Sequence, residues 1–460
     1  MAKTTARADQ PVETTGTVEK RSYDYVPLNE RHGRPRHLFS VWFGENIHIL
    51  AVVTGSLGVV LGLGLVWTII AILIGNVLGA LFMAFHSAQG PKLGLPQMIQ
   101  SRAQFGYHGG LLPTVIALFM YLVYGAAGIV PCGQALQAVF GGSLDLWIVL
   151  CTIPMVGLAI FGYNQVHRAM RIQTAAFVVL FAIVGIWLLV HGIPSPQLHA
   201  GHFIWGAFLG SVSAYAVWQI SYAPYVSDYS RYLPPDQTRN AFAYTYLGTN
   251  IGSIIPMAIG AGLAALYPTL GTVGAIHKLA GGVLTFLIGI SIIMPNSFNV
   301  YGGIITTLTI GTNFREFKST ARLRVVVGII VGGLMMVAAI VGAGNFINNV
   351  YNFLLILLYF LIPWTAVNLT DFYLVRRGQY RTDDFFAKNG PYGQWNWTGL
   401  GVYIITFLIE IPFMATPHFT GPVGHALNGG DITWIVGTVV AVPLYFFLDR
   451  ARLRRQRVVS

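Results

Sequence analysis

Apolar residues along this chain gather in blocks of roughly 18 to 30, divided by short polar segments, and a helix needs ~20 such residues to cross a hydrocarbon core. A soluble chain of this length would carry one-sided amphipathic stripes instead. The blocks lie near 38–60, 63–86, 110–139, 143–164, 170–191 and 203–226, then near 240–266, 275–311, 325–343, 347–375, 397–416 and 431–449. They predict an all-α integral membrane protein of about twelve transmembrane helices. Spans 1–5 occupy 38–191, spans 6–10 occupy 203–375 and spans 11–12 occupy 397–449 of one domain at 38–450, between a polar tail at 1–37 and a basic tail at 451–460.

The chain carries 27 Lys and Arg against 16 Asp and Glu, a net charge of +11 that invites nucleic acid as a partner. Placement argues otherwise, because basic residues in short loops stay on the cytoplasmic side of a membrane. With the amino terminus inside, the inner segments hold Lys92 and Arg102; Arg168 and Arg171; Arg231 and Arg239; Arg315, Lys318, Arg322 and Arg324. They continue with Arg376, Arg377, Arg381 and Lys388 and end in the run from Arg450 to Arg457, so that Lys278 alone falls outside. The pattern predicts a multi-pass cell-membrane protein with both termini cytoplasmic, the lipid bilayer as its surroundings, and neither nucleic acid nor an obligatory protein as partner. Residues 1–37 lack the short apolar core and small-residue cleavage site of a signal peptide. Cys132 and Cys151 each stand alone in an apolar stretch, which leaves no disulfide framework, no metal-ligand spacing and no sign of a cofactor.

Several spans carry residues that break helices or bind polar or aromatic groups. Span 1 contains Gly44, Glu45, Asn46 and His48, and span 6 contains Trp218, Gln219, Ser221 and Pro224. These are the first members of two successive groups of five, where a five-plus-five repeat places its discontinuous helices, with spans 11 and 12 added. Span 8 carries Asn296 and Asn299 beside Pro295, and an amide offers the donor and acceptor that a heterocyclic edge requires. Tyr121 and Tyr124 of span 3 lie on a face opened by Gly125 and Gly128, a slot for a flat ring, with Trp218 as the opposite wall. Glu45, His48 and Glu410 are the ionisable residues within spans, a placement that marks ion or proton routes. Three residues apart, Glu45 and His48 share a face if the helix is continuous there. His86, His167, His191 and His199 fall at span ends and read as interfacial.

GPKLGLPQMIQSRAQFGYHGG at 90–110, YAPYVSDYSRYLP at 222–234 and NSFNVYG at 296–302 together resemble the nucleobase:cation symporter-1 family, and its purine-cytosine branch in particular. The resemblance implies twelve spans, ten of them in an inverted repeat with helices 1 and 6 broken. It further implies a substrate site between spans 1, 3, 6 and 8, formed by Asn296, Asn299, Trp218, Gln219, Tyr124, Tyr121 and Ser221. Tyr124 stands where many members have Trp. Sodium-coupled members carry two hydroxyl residues just before the first Asn of span 8, where this chain has Met294 and Pro295, leaving Ser291 as the nearby hydroxyl. The expectation is therefore a symporter for cytosine or a purine, coupled to H+ through Glu45 and His48 rather than to Na+ at Ser291. Uracil, allantoin, hydantoin, pyridoxine or a thiamine precursor are the alternative substrates. A membrane-embedded lipid-modifying enzyme needs paired acidic motifs at the membrane surface, and Asp383 with Asp384 in a polar loop does not supply them.

Overall fold

A membrane-spanning segment must satisfy its backbone groups without water, which a helix does within itself. Among the described residues the chain is helical, with two isolated β-bridges and no strand. The structure, a computed structural model, describes residues 24–161, 163–194, 201–314 and 320–459, with side chains left out at 161, 163–174, 191 and 455–459. His199 and the side chains of His167 and His191 lie outside the described residues. Spans 2 to 5 are the helices Leu65–Leu93, Leu111–Phe140, Leu144–Phe161 and Tyr163–His191, and span 7 is Thr238–Leu266. Spans 9, 10 and 12 are Ala321–Gly342, Phe346–Thr370 and Thr433–Val459. Span 11 is Trp397–Glu410, continued by a short turn at Ile411–Phe413.

Spans 1, 6 and 8 are interrupted. Span 1 consists of Arg36–Asn46 and Ile49–Val60, bent by 69°. Span 6 divides into Trp205–Ile220 and Ala223–Ser230. Span 8 runs through Gly271–Ile290 and Ile293–Phe314, and Gly281 within the first part is left-handed (φ 73°, ψ 178°). Only glycine adopts that conformation without a Cβ penalty. The expected start of span 8 near 275 therefore falls in a separate short helix ahead of Gly281. By length and composition six helical stretches among the described residues can cross a membrane, seven with the bent pair of span 1. Two of the six, Gly271–Phe314 and Ala321–Val375, hold 44 and 55 residues. That is roughly two to three times the ~20 residues one crossing needs, and the breaks at Gly281 and at Ala343–Asn345 divide them.

The spans sort into two packed sets. Spans 1, 2, 6 and 7 pack on one another, spans 3, 4, 8 and 9 form the second set, and span 10 lies against spans 6, 11 and 12. The first set holds the first two members of each five and the second set the third and fourth, the pairing expected of a five-plus-five repeat. Small residues make the close approaches possible, as is general between membrane helices. A Cβ at Gly79 of span 2 would fall on the backbone of Ala216 in span 6, and one at Gly260 of span 7 on the backbone of Val52 in span 1. Gly79→Val is accordingly expected to abolish most of the monodisperse protein seen by size-exclusion chromatography in detergent, since the overlap is with main chain that cannot rotate away. Wild-type yield and melting temperature would contradict the packing described.

One residue differs from expectation. His86 is fully buried rather than interfacial. Its ring stacks on Trp364 at 4.7 Å, with Nε2 2.6 Å from Thr365 Oγ1 and Nδ1 2.9 Å from Gln97 Nε2, so both polar edges are satisfied inside the protein. Cys132 and Cys151 are free thiols that meet between spans 3 and 4, with their sulfurs 2.9 Å apart.

Candidate functional site

The breaks in spans 1, 6 and 8 converge, and each has a local cause. In span 1 the Asn46 side chain turns back to donate to Trp42 O at 2.7 Å, and His48 is extended at φ −155°, ψ 168°. The second half of the span then restarts with its Ile49 N–H held by Ser291 Oγ of span 8 at 3.0 Å. In span 6 the Ser221 hydroxyl donates to Trp218 O at 2.7 Å, and Pro224, which lacks an N–H, opens the second helix. In span 8 Pro295 occupies the first turn after the break, where a missing N–H costs nothing.

A cavity of about 30 Å³ lies between these breaks, lined by Glu45, His48, Leu50, Tyr124, Trp218, Ser221, Tyr222, Tyr225, Pro295 and Asn299. Its aromatic side is held by Asn46, whose Oδ1 accepts from Trp218 Nε1–H at 2.8 Å, from the Tyr222 hydroxyl at 3.0 Å and from the Ser253 hydroxyl at 2.8 Å. The indole is thereby fixed by its edge. His48 lies 5.9 Å from it, ring to ring. The hydroxyls of Tyr124 and Ser221 are 3.0 Å apart. Asn299 Nδ2 donates to Asn296 Oδ1 at 2.9 Å, which leaves the Asn299 carbonyl oxygen and its second N–H without a partner among the described residues. The Glu45 carboxyl likewise has no hydrogen-bond or ion-pair partner among them.

The structure thus brings Glu45, His48, Tyr124, Trp218, Ser221 and Asn299 to one cavity, and sets the other predicted residues behind it. Gln219, next to Trp218 on the helix, faces away. Its Nε2 donates to Asn76 Oδ1 at 2.6 Å and Ser253 Oγ at 2.9 Å, and its Oε1 accepts from Thr249, so it joins spans 2, 6 and 7. Asn296 is fully buried, with its Nδ2 3.1 Å from Met155 Sδ and donating to Gly125 O of span 3 at 2.9 Å. It positions Asn299 and ties spans 8 and 3 together. Tyr121 packs on Tyr225 at 5.4 Å and against Gly302, outside the lining. Ser291 spends its oxygen on Ile49 N–H and its proton on Ile288 O. The expected parallel walls are not parallel either: Trp218 and Tyr124 meet edge to face at 83°, 5.8 Å apart. Nor do Glu45 and His48 share a helical face, because the break falls between them.

The sequence marks Asn46 only as part of the span 1 break, and does not single out Tyr222 or Tyr225. An amide inside an otherwise apolar span was the available signal for Asn46, and tyrosines just past a helix break the signal for the others. The cavity falls far below the ~300 Å³ of pockets that hold drug-sized ligands, so a ring enters only if the surrounding spans part. A second cavity of about 330 Å³, lined in part by Val53, Gln134, Gln137, Thr272 and Phe346, opens at the end opposite the basic loops. Val53 lies ~4.5 Å along the helix from Leu50 of the first cavity, less than one turn.

A family profile described as "Permease for cytosine/purines, uracil, thiamine, allantoin" matches residues 25–437. The chain is 40% identical over 451 residues to a putative purine-cytosine permease, YxlA, of Bacillus subtilis, covering 95% of this chain and 97% of the relative. It is 26% identical to the purine-cytosine permease fcyB of Emericella nidulans (94% and 88% covered) and 23% identical to a hydantoin permease of Microbacterium maritypicum (95% and 89% covered). Among solved structures, the inward-facing conformation of Mhp1 superposes with a TM-score of 0.76 at 17% identity, over 96% of each chain. A closed, bromovinylhydantoin-bound structure of Mhp1, titled a nucleobase-cation-symport-1 family transporter, gives 0.73 at 18% identity over 94% and 95%. At that identity the likeness establishes the fold.

Proposed function

We propose that this chain, which belongs to the family of permeases for cytosine/purines, uracil, thiamine and allantoin, imports a nucleobase such as cytosine or a purine together with a proton. It is a multi-pass membrane permease, not an enzyme. The observation that carries the substrate reading is the pair of unspent polar groups, Glu45 and Asn299, in one cavity with the Trp218 ring. A nucleobase presents an aromatic face and an edge of alternating donors and acceptors. Neutral carboxyl and carboxamide groups each offer a donor and an acceptor side by side, and the indole supplies the stacking surface.

The proton reading is supported from two sides. A hard cation needs several oxygen ligands, and at the junction of spans 1 and 8 the Ser291 hydroxyl is already engaged with Ile49 and Ile288 while Met294 and Pro295 offer none. Glu45 has no cationic partner among the described residues, so a proton both neutralises it and equips it to donate to a base. Inward transport across the cell membrane is supported by the basic loops, whose clustering on one side favours cytoplasmic termini, and by the larger cavity at the other end. Closure of the small cavity between two packed sets of spans supports alternating access by their relative movement.

A thermal-shift panel of the purified protein tests the substrate. Cytosine, adenine, hypoxanthine, uracil, allantoin and pyridoxine are each compared with and without sodium. A ligand at 100 times its Kd adds about 2.7 kcal/mol, and cytosine or a purine is expected to stabilise in the absence of sodium. Stabilisation by allantoin, uracil or pyridoxine alone would transfer the reading to that heterocycle.

A further inference from the structure

Glu410 of span 11 lies outside both sets of spans that enclose the cavity. Its side chain is fully buried, and neither carboxyl oxygen has a hydrogen-bond partner among the described residues. Thr406 Oγ1, one turn earlier on the same face, is equally unpartnered among these residues. The carboxyl rests on Gly437 of span 12, where any Cβ would overlap it, next to Ile362 of span 10. This is a fitted position for an unpaired polar group, in a membrane where each such group is costly.

The neighbouring acid is in the opposite condition. Asp431, at the head of span 12, accepts from the Tyr359 hydroxyl at 2.5 Å and Ala415 N–H at 3.1 Å on one oxygen. Its other oxygen accepts from Thr433 N–H at 3.1 Å and the Thr433 hydroxyl at 2.6 Å. Four donors suit a charged carboxylate. The Asp431 carbonyl also accepts from the Ser213 hydroxyl of span 6 at 3.0 Å, so this one residue joins spans 6, 10 and 12. No Lys or Arg occurs from 389 to 449 or in Phe346–Thr370. Among the described residues, the titratable groups facing Glu410 are Asp431 from span 12, itself bonded by Tyr359 of span 10, and Tyr403 on its own helix, whose hydroxyl donates to Phe360 O at 3.0 Å. The helix Arg102–Phe105 also packs on span 11, but at the far end, around Gly399.

A second bare charge beside Asp431, without a donor or a cation, is the arrangement that buried carboxylate pairs avoid by retaining one proton. We propose that Glu410 is a proton-binding site separate from the substrate cavity, its bound proton replacing the Lys or Arg counter-charge absent from the outer ends of spans 10 to 12 and holding those ends, and through Asp431 that of span 6, together.

Infrared difference spectroscopy of wild type against Glu410→Gln at pH 7, without substrate, reads the proton directly. The carbonyl stretch of a neutral carboxylic acid, shifted by deuterium exchange, should vanish in the variant while the carboxylate bands stay unchanged. Melting curves give the linked effect. Above the ordinary glutamate range, near ~4.3, folding takes up a proton at this site, so stability falls as pH rises. Relative to Glu410→Gln, the wild-type folding equilibrium should weaken about tenfold per pH unit. Glu410→Met, also neutral, serves the same comparison if the Gln variant is poorly produced. Loss of a carboxylate band instead of the acid band, or melting temperatures that run parallel from pH 5 to 9, would overturn the assignment.

Discussion

Asn299→Ala is expected to weaken base binding by roughly 5- to 150-fold while the yield of folded protein stays near wild type. Removing one partner of a buried hydrogen bond and leaving the other unsatisfied costs about 1–3 kcal/mol, and the unspent carbonyl and N–H of Asn299 are the groups a base can engage. Asn296→Ala should behave differently. Its amide is committed to Gly125 O, and its carbonyl to Asn299, so the loss should appear in melting temperature as well as in affinity. Isothermal titration with cytosine or adenine, beside melting curves of the free proteins, separates the two. Wild-type affinity in Asn299→Ala would remove span 8 from the binding site.

Asn46→Leu should have the larger effect of any single change near the cavity, eliminating measurable uptake and lowering the melting temperature. Leucine keeps the bulk but leaves the Trp218 indole N–H and the Tyr222 and Ser253 hydroxyls without their common acceptor. Each unpaired group costs about 1–3 kcal/mol, and such losses in one network do not simply add. Trp218→Phe removes one of the three donors and keeps an aromatic face, so it should bind base more weakly than wild type yet better than Asn46→Leu. Transport by Asn46→Leu at the wild-type rate would show that the amide does not position the indole.

Much of the architecture is legible in the sequence because lipid imposes a simple rule: spans must be apolar, helical and long enough. Helix breaks at 46–49 and 221–222 follow from residues such as Asn46 and Pro224 that compete with or interrupt helical hydrogen bonds. Which way a side chain points is another matter. Gln219 and Trp218 are neighbours in sequence, yet the helix turns ~100° between them, so one bonds spans 2 and 7 while the other lines the cavity. Asn296 and Asn299 look equivalent in a repeat of amides. Only the position of Gly125 O on span 3 shows that the first is consumed by packing. The burial of His86 is hidden for a related reason: distance from the end of an apolar run says nothing about Gln97 or Thr365, which arrive from other parts of the chain.

Uptake into proteoliposomes under separately imposed gradients tests most directly whether the permease is a proton-coupled nucleobase importer. An inward proton gradient without sodium should drive accumulation of radiolabelled cytosine or adenine above equilibrium. Glu45→Gln should still bind the base and equilibrate it without concentrating it. Accumulation driven by a sodium gradient at symmetric pH, with base binding tightened by sodium, would contradict this and make Ser291 the first ligand to substitute.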